Sequence, residues 1–136
     1  MVFTWFLFVA LASSSMATFT LAEPIAFNDK AALLRIKKSI TQDPSNLLAG
    51  WTPNSDYCSW YGVTCDEFSK RVIGLNFTAR SFKSFLAGTL PDSIGDLAEL
   101  RTLVISHNAF SGEIPVNVRK LQFLEVLELQ GNNLSG

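Results

Sequence analysis

The stretch LAELRTLVISHNAFSG, residues 97–112, is followed by LQFLEVLELQGNNLSG, residues 121–136, and the two superimpose at a single offset. Leu97, Leu100, Leu103, Ile105, Asn108, Phe110 and Gly112 each have a counterpart 24 residues on: Leu121, Leu124, Leu127, Leu129, Asn132, Leu134 and Gly136. Seven matches at one spacing do not arise from composition alone. Upstream, Val72, Leu75 and Phe77, then Leu86, Gly88, Leu90 and Pro91, form a third and less regular copy. A short fixed period with L-x-x-L-x-L-x-x-N spacing predicts a solenoid, in which each coil buries its aliphatic residues against the next.

The pattern assigns the fold class: an α/β leucine-rich-repeat solenoid with a short parallel sheet on its concave face. Each fully buried leucine contributes roughly 1.5–3 kcal/mol relative to exposure. Asn108 and Asn132 fall where the chain leaves the strand. An amide there both donates and accepts, so it can satisfy the backbone groups that the turn leaves unpaired. Between Phe77 and Leu86 there are four residues more than the period allows, and Arg80 stands where asparagine is expected. Residues 78–85 therefore read as an irregular loop, and extra residues in a repeat bulge onto one face, as a neutral surface or a functional one. Period-two alternation turns the remaining strand residues outward. These are Asn76 and Thr78, with Ile73, Gly74 and Ala79; then Arg101, Thr102, Val104, Ser106 and His107; then Glu125, Val126, Glu128 and Gln130, with Gly131. Exposed Val104 and Val126 beside Glu125 and Glu128 suit a peptide or protein ligand more than a polyanion.

Before the repeats lies WTPNSDYCSWYGVTC, residues 51–65. Its aromatics read either as a carbohydrate platform or as a lid over the bare face of the first coil, which a solenoid requires. Cys58 and Cys65 are the two cysteines. In a secreted chain an even count reads as a disulfide, with free thiols as the alternative. A metal site would need more ligands than the single histidine, His107, can add. Further upstream, Asn28 or Asp29 can cap a helix whose body runs from Lys30 to Ile40. Ala32, Leu33, Ile36 and Ile40 share one helical face, leaving Lys30, Arg35, Lys37 and Lys38 as a solvated face. Asp43-Pro44 stops the helix, and a short turn forms around Leu47 and Leu48. The domains expected are a cap at residues 23–70 and about 2.6 repeats at residues 71–136.

Residues 1–22 carry no charge; an apolar run from Val2 to Ala12 ends at three serines, with Ala17 or Ala22 placed for cleavage. That run is too short to span a bilayer and fits a signal peptide, which places the chain outside the cell. A formal net charge of −1 supplies no basic excess for nucleic-acid binding. No cofactor motif occurs, and no apolar span of ~20 residues follows the repeats. Ser106 beside His107 lacks a third acid group and its side chains diverge along a strand, so it does not read as a nucleophile pair. Glu125 and Glu128 share one shallow strand without a pocket, against glycosidase chemistry. Asn76-Phe77-Thr78 and Asn133-Leu134-Ser135 are glycosylation sequons, making Asn76 and Asn133 candidate acceptors.

These residues resemble the extracellular part of plant leucine-rich-repeat receptor-like protein kinases. The repeats are similar to the family's L-x-x-L-x-x-L-x-L-x-x-N-x-L-S-G-x-I-P consensus. The stretch from Trp51 through Cys58-Ser59-Trp60-Tyr61-Gly62-Val63-Thr64-Cys65 is similar to its amino-terminal cap. The irregular first repeat, with FSGEIPV and LEVLEL, looks most like the receptor-like protein kinase two group. The resemblance implies a cell-surface receptor whose ectodomain binds a peptide or protein ligand or a co-receptor ectodomain. The glycine-rich loop, His-Arg-Asp and Asp-Phe-Gly of a kinase are absent from these residues, so phosphoryl transfer is not expected here. The sequence stops in mid-repeat, before the expected x-I-P, which reads as a truncation. The alternative is a secreted inhibitor or defence protein, like the plant polygalacturonase-inhibiting proteins, which share the cap and repeat type.

Overall fold

The computed structural model describes residues 28–136, so the signal peptide expected at residues 1–22 lies outside the described residues. Helix α1 spans Asp29–Ser39 and buries Ala32, Leu33 and Ile36, three of the four positions that helical spacing selects. Its ends differ from expectation. Asn28 stands at the N-cap without a side-chain capping bond. Asp29 is buried instead: its carboxylate accepts from Arg71 Nε (2.9 Å), Arg71 Nη2 (3.2 Å) and the Val72 N–H (2.9 Å). Ile40, the fourth apolar position, has extended backbone and opens strand β1, Ile40–Gln42. The helix thus ends before Asp43-Pro44, and the Asp43 carboxylate caps the next turn, accepting from the N–H of Leu47 (2.8 Å) and Leu48 (2.9 Å). Two lysines of the supposed solvated face are tethers. Lys30 Nζ donates to the Ser55 carbonyl and Lys37 Nζ to that of Trp51, each at 2.8 Å.

The cap then contributes β2, Val63–Cys65, which pairs antiparallel with the first repeat strand, β3, Val72–Asn76. From β3 the chain winds into parallel coils. β5 (Thr102–Val104) and β7 (Val126–Glu128) follow in register, with Leu75, Leu103 and Leu127 aligned. This is the concave sheet, in the order β2-β3-β5-β7.

A second sheet, which the repeat pattern alone does not announce, runs down another side. It joins β1 to β4 (Ala87–Thr89), β6 (Ala109–Glu113) and β8 (Asn133–Ser135). β1 is antiparallel to β4 and the rest are parallel. Gly88 makes the junction with the cap possible: its φ is +146°, and a Cβ there would lie 2.2 Å from the Ser39 carbonyl oxygen. Short 3-10 turns at Asp92–Asp96 and Val116–Lys120, each opened by a proline, complete the coils, and the first buries Ile94.

The core is continuous from α1 through the coils, joining Leu33, Ile36, Trp51, Leu75, Phe77, Leu103, Ile105 and Phe110. Trp51 and Trp60 are buried and stack with centroids 5.1 Å apart, and Trp51 meets Phe77 at 5.7 Å. Both tryptophans are therefore used as a lid on the first coil, not as an open sugar platform. At the far end the burial fades: Leu127 is 47% exposed where its counterpart Leu103 is 0%.

Cys58 and Cys65 are bonded to each other and tie the turn at Tyr57–Ser59 to β2. Closing a loop of this size restricts the unfolded chain by about 2.5 kcal/mol in the chain-entropy account. A Cys58→Ser/Cys65→Ser variant should lose about that much in urea denaturation followed by circular dichroism. A variant as stable as the wild type would show that the aromatic lid alone holds the cap.

Candidate functional site

The concave sheet collects most of the outward residues on one surface. Asn76, Arg101, His107, Glu125, Val126, Glu128 and Gln130 are exposed, and Thr78 and Thr102 are half-buried. Two residues expected to be open to solvent are not: Val104 is 8% exposed and Ser106 3%. Val104 lies mid-sheet, flanked in register by Asn76 on β3 and Glu128 on β7. A short side chain between two longer ones keeps little surface. Ser106 sits where the coil turns, its carbonyl accepting from the Ala79 N–H and from Asn108 Nδ2. Buried as they are, these two residues offer little surface to a ligand.

Register fixes which side chains share a neighbourhood. The Arg101 N–H donates to the Ile73 carbonyl and the Glu125 N–H to that of Arg101, so these three residues stack across the sheet. Thr102 pairs between Gly74 and Val126. Arg101, Thr102 and Glu125 line a shallow depression of about 280 Å³ together with Asn76 and Thr64. Neither Arg101 nor Glu125 is in an ion pair among the described residues, so both charges remain available to a ligand.

His107 has φ +59° and is exposed. Gly131 lies against it, and a Cβ there would come within 2.6 Å of His107 Nδ1. The neighbouring Ser106 Oγ is buried with no hydrogen-bond partner among the described residues, His107 included, so the two side chains form no nucleophile pair. Among the described residues no cluster of His, Cys, Asp or Glu could hold a metal ion, and no helix is long and apolar enough to cross a membrane.

The asparagine ladder supports this surface from beneath. Asn108 Oδ1 accepts from the Leu86 N–H (2.8 Å), while Nδ2 donates to the carbonyls of Phe77 and Ser106. One coil on, Asn132 Oδ1 accepts from the Phe110 N–H (3.1 Å), and its Nδ2 donates to the carbonyls of Ile105 and Leu129. Of the sequon residues, Asn76 ends β3, with its Oδ1 accepting from the Thr78 N–H (3.1 Å) and Thr78 Oγ1 (2.7 Å). Asn133 is exposed on β8.

Sequence reasoning missed the link that orients the cap on this sheet. Arg71, immediately before β3, grips Asp29 of α1, and that hydrogen bond raises the guanidinium pKa. Its second oppositely charged neighbour is Glu99, at 3.9 Å. Nothing at position 29 or 71 alone marks the pair, which is separated by 42 residues.

A helical cap with a disulfide, seated on parallel coils with an asparagine ladder, defines a plant-type leucine-rich-repeat module. Residues 27–66 match the leucine rich repeat N-terminal domain and residues 99–121 the leucine rich repeat. The chain is 37% identical over 129 residues to the probable leucine-rich-repeat receptor-like serine/threonine-protein kinase RPK1 of Arabidopsis thaliana, covering 80% of this chain and 24% of that protein. It is 39% identical over 111 residues to a polygalacturonase inhibitor of Vitis vinifera, covering 81% of this chain and 32% of that protein. Among solved structures it is similar to the Arabidopsis receptor kinase HAESA in complex with the peptide hormone IDA and the co-receptor SERK1: TM-score 0.67, 25% identity, covering 79% of this chain and 17% of that chain. The chain thus carries the leucine-rich-repeat N-terminal domain and repeat and is similar to plant leucine-rich-repeat proteins, and it spans about a quarter to a third of the curated relatives just named.

Proposed function

We propose that this chain is the amino-terminal part of an extracellular recognition module of a plant receptor-like kinase, binding a peptide or a partner ectodomain through its concave sheet. One observation carries the reading: β3, β5 and β7 present unpaired Arg101, Glu125 and Glu128 beside Val126 on one continuous open face. A shallow, mixed surface whose charges form no ion pair among the described residues suits recognition of an extended polypeptide. The solved HAESA complex, with its peptide hormone and co-receptor, supports that partner class. In this reading residues 1–22 direct secretion, the cap occupies residues 23–70 and the repeats follow from residue 71. Asn76 and Asn133 accept glycans, the phosphoryl-transfer chemistry belongs to a separate kinase domain, and the module works on the outer side of the plasma membrane.

The test screens the secreted chain against an arrayed library of plant secreted peptides and receptor ectodomains. A Glu125→Lys/Glu128→Lys variant serves as the comparison. At least one partner should bind the wild type and lose ten-fold or more in affinity with the variant. Partners that bind both forms equally would remove the concave sheet from the interaction.

The inhibitor relative motivates a second reading, a secreted inhibitor of a cell-wall hydrolase. Adding the purified chain to a fungal polygalacturonase decides it. Dose-dependent loss of polygalacturonate cleavage would favour this alternative, and unchanged cleavage would leave the receptor reading.

A further inference from the structure

Residues 80–85, within the stretch that interrupts the repeat pattern, stand as a wall at the rim of the concave face, with a hollow on each side. Ser84 Oγ accepts from the N–H of Arg80 (3.2 Å) and of Ser81 (3.1 Å), which folds the loop on itself. Ser45 Oγ of the cap donates to the Lys83 carbonyl, which pins its tip. One hollow, of about 530 Å³, lies between the loop and the second coil and is lined by Arg80, Phe82, Phe85 and His107. The other, of about 710 Å³, lies between the loop and the cap, against Tyr61 and again Arg80.

The charges here are one-sided. Arg80 is in no ion pair among the described residues. Lys83 lies 5.9 Å from the centroid of the Phe82 ring. Among the described residues no aspartate or glutamate lines either hollow, although the chain as a whole has 12 acidic residues against 11 basic. Phe82 is 83% exposed. A single exposed phenylalanine is ordinary on a protein surface. An exposed phenylalanine that walls a hollow with a second one, beside an arginine without an acidic partner, has the composition of an interface anchor.

We propose that this rim groove docks an extended acidic segment of a partner protein. A large apolar side chain of the segment sits between Phe82 and Phe85, and its carboxylate is held by the Arg80 guanidinium, whose planar fork suits a bidentate contact. The absence of acidic lining sets the sign of the partner, and the two rings set the need for an apolar residue. The inference rests on the chain being a protein-recognition module, but it is centred on the loop at the rim, where Asn76 and His107 adjoin it, and not on Arg101, Glu125 and Glu128.

The probe is a phage-displayed library of random dodecapeptides, selected on the secreted full chain. Enriched peptides should carry aspartate or glutamate beside an aromatic residue or leucine. Their affinity should fall at least ten-fold with Arg80→Glu and several-fold with Phe82→Ser. It should stay within two-fold with Glu125→Lys/Glu128→Lys. Position 80 and position 82 are exposed, so circular dichroism of both loop variants should match the wild type. Selection without acidic enrichment, or no selection at all, overturns the proposal, as does undiminished binding to Arg80→Glu. Peptides lost with Glu125→Lys/Glu128→Lys but kept with Arg80→Glu would refute the rim groove while supporting the concave-sheet reading.

Discussion

Replacing Asn108 by leucine should lower the unfolding free energy by about 2 kcal/mol, although leucine is of similar size and more apolar. The Asn108 side chain serves three backbone groups: the Leu86 N–H and the carbonyls of Phe77 and Ser106. It is itself buried, so water cannot replace it. The Ser106 carbonyl keeps the Ala79 N–H, so two groups are stranded, at ~1–3 kcal/mol each and about 4 kcal/mol together. Burying leucine instead returns about 2 kcal/mol, and the loss wins. Asn132→Leu gives the internal control. Asn132 makes the same kind of bonds from one coil further along but is half-buried, so water can take over some of them and the loss should be about half as large. Urea denaturation of both variants, with an unchanged denaturant slope, measures the difference. Equal losses, or an Asn108→Leu variant within 1 kcal/mol of the wild type, would show that the ladder is not what closes the coils.

The residues that proved legible in the sequence are those whose partners repeat. Leu75, Leu103 and Leu127 align in the structure because one coil's environment is the next coil's environment, so a period in sequence becomes a stack in space. Trp51 and Trp60 were readable for a related reason: a solenoid's first coil has a bare face that something large must cover. The second sheet was not. Its strands read A-G-T, A-F-S-G-E and N-L-S, and serine and glycine mark turns under any local rule. They pair as strands because the coil length brings them alongside one another, a tertiary effect that overrides propensity. Ile40 failed by the same route. Its helical spacing was right, but pairing with Gly88 drew it into an extended conformation. Alternation predicted open side chains at Val104 and Ser106, and both are buried, since the height of neighbouring side chains decides exposure and period two carries no such information. The rim groove was visible only as four residues in excess, because its walls come from the loop, the cap and the second coil together.

Asp29→Ala should cost about 4 kcal/mol and act first on the cap. The Asp29 carboxylate is 1% exposed, with two Arg71 nitrogens and the Val72 N–H directed at it. Three charge-assisted bonds offset its desolvation. Removing it strands the Val72 N–H and takes from a mostly buried guanidinium the carboxylate that faces it squarely. Arg71 keeps its longer approach to Glu99, at 3.9 Å, but that partner is partly exposed and screened. Breaking a buried pair from one side costs about 3–5 kcal/mol, whereas replacing both partners with apolar residues is close to neutral. The double variant Asp29→Leu/Arg71→Met should therefore be more stable than Asp29→Ala by at least 1 kcal/mol, a non-additivity expected only if the two groups act on each other. Hydrogen exchange gives the location: amides of α1 and of Val72 should lose protection before those around Leu103 and Ile105, because Asp29 ties helix to first strand and does not reach the second coil. If the two variants lose the same stability, or if protection falls evenly along the solenoid, the ion pair is incidental and strand pairing and the apolar core seat the cap without it.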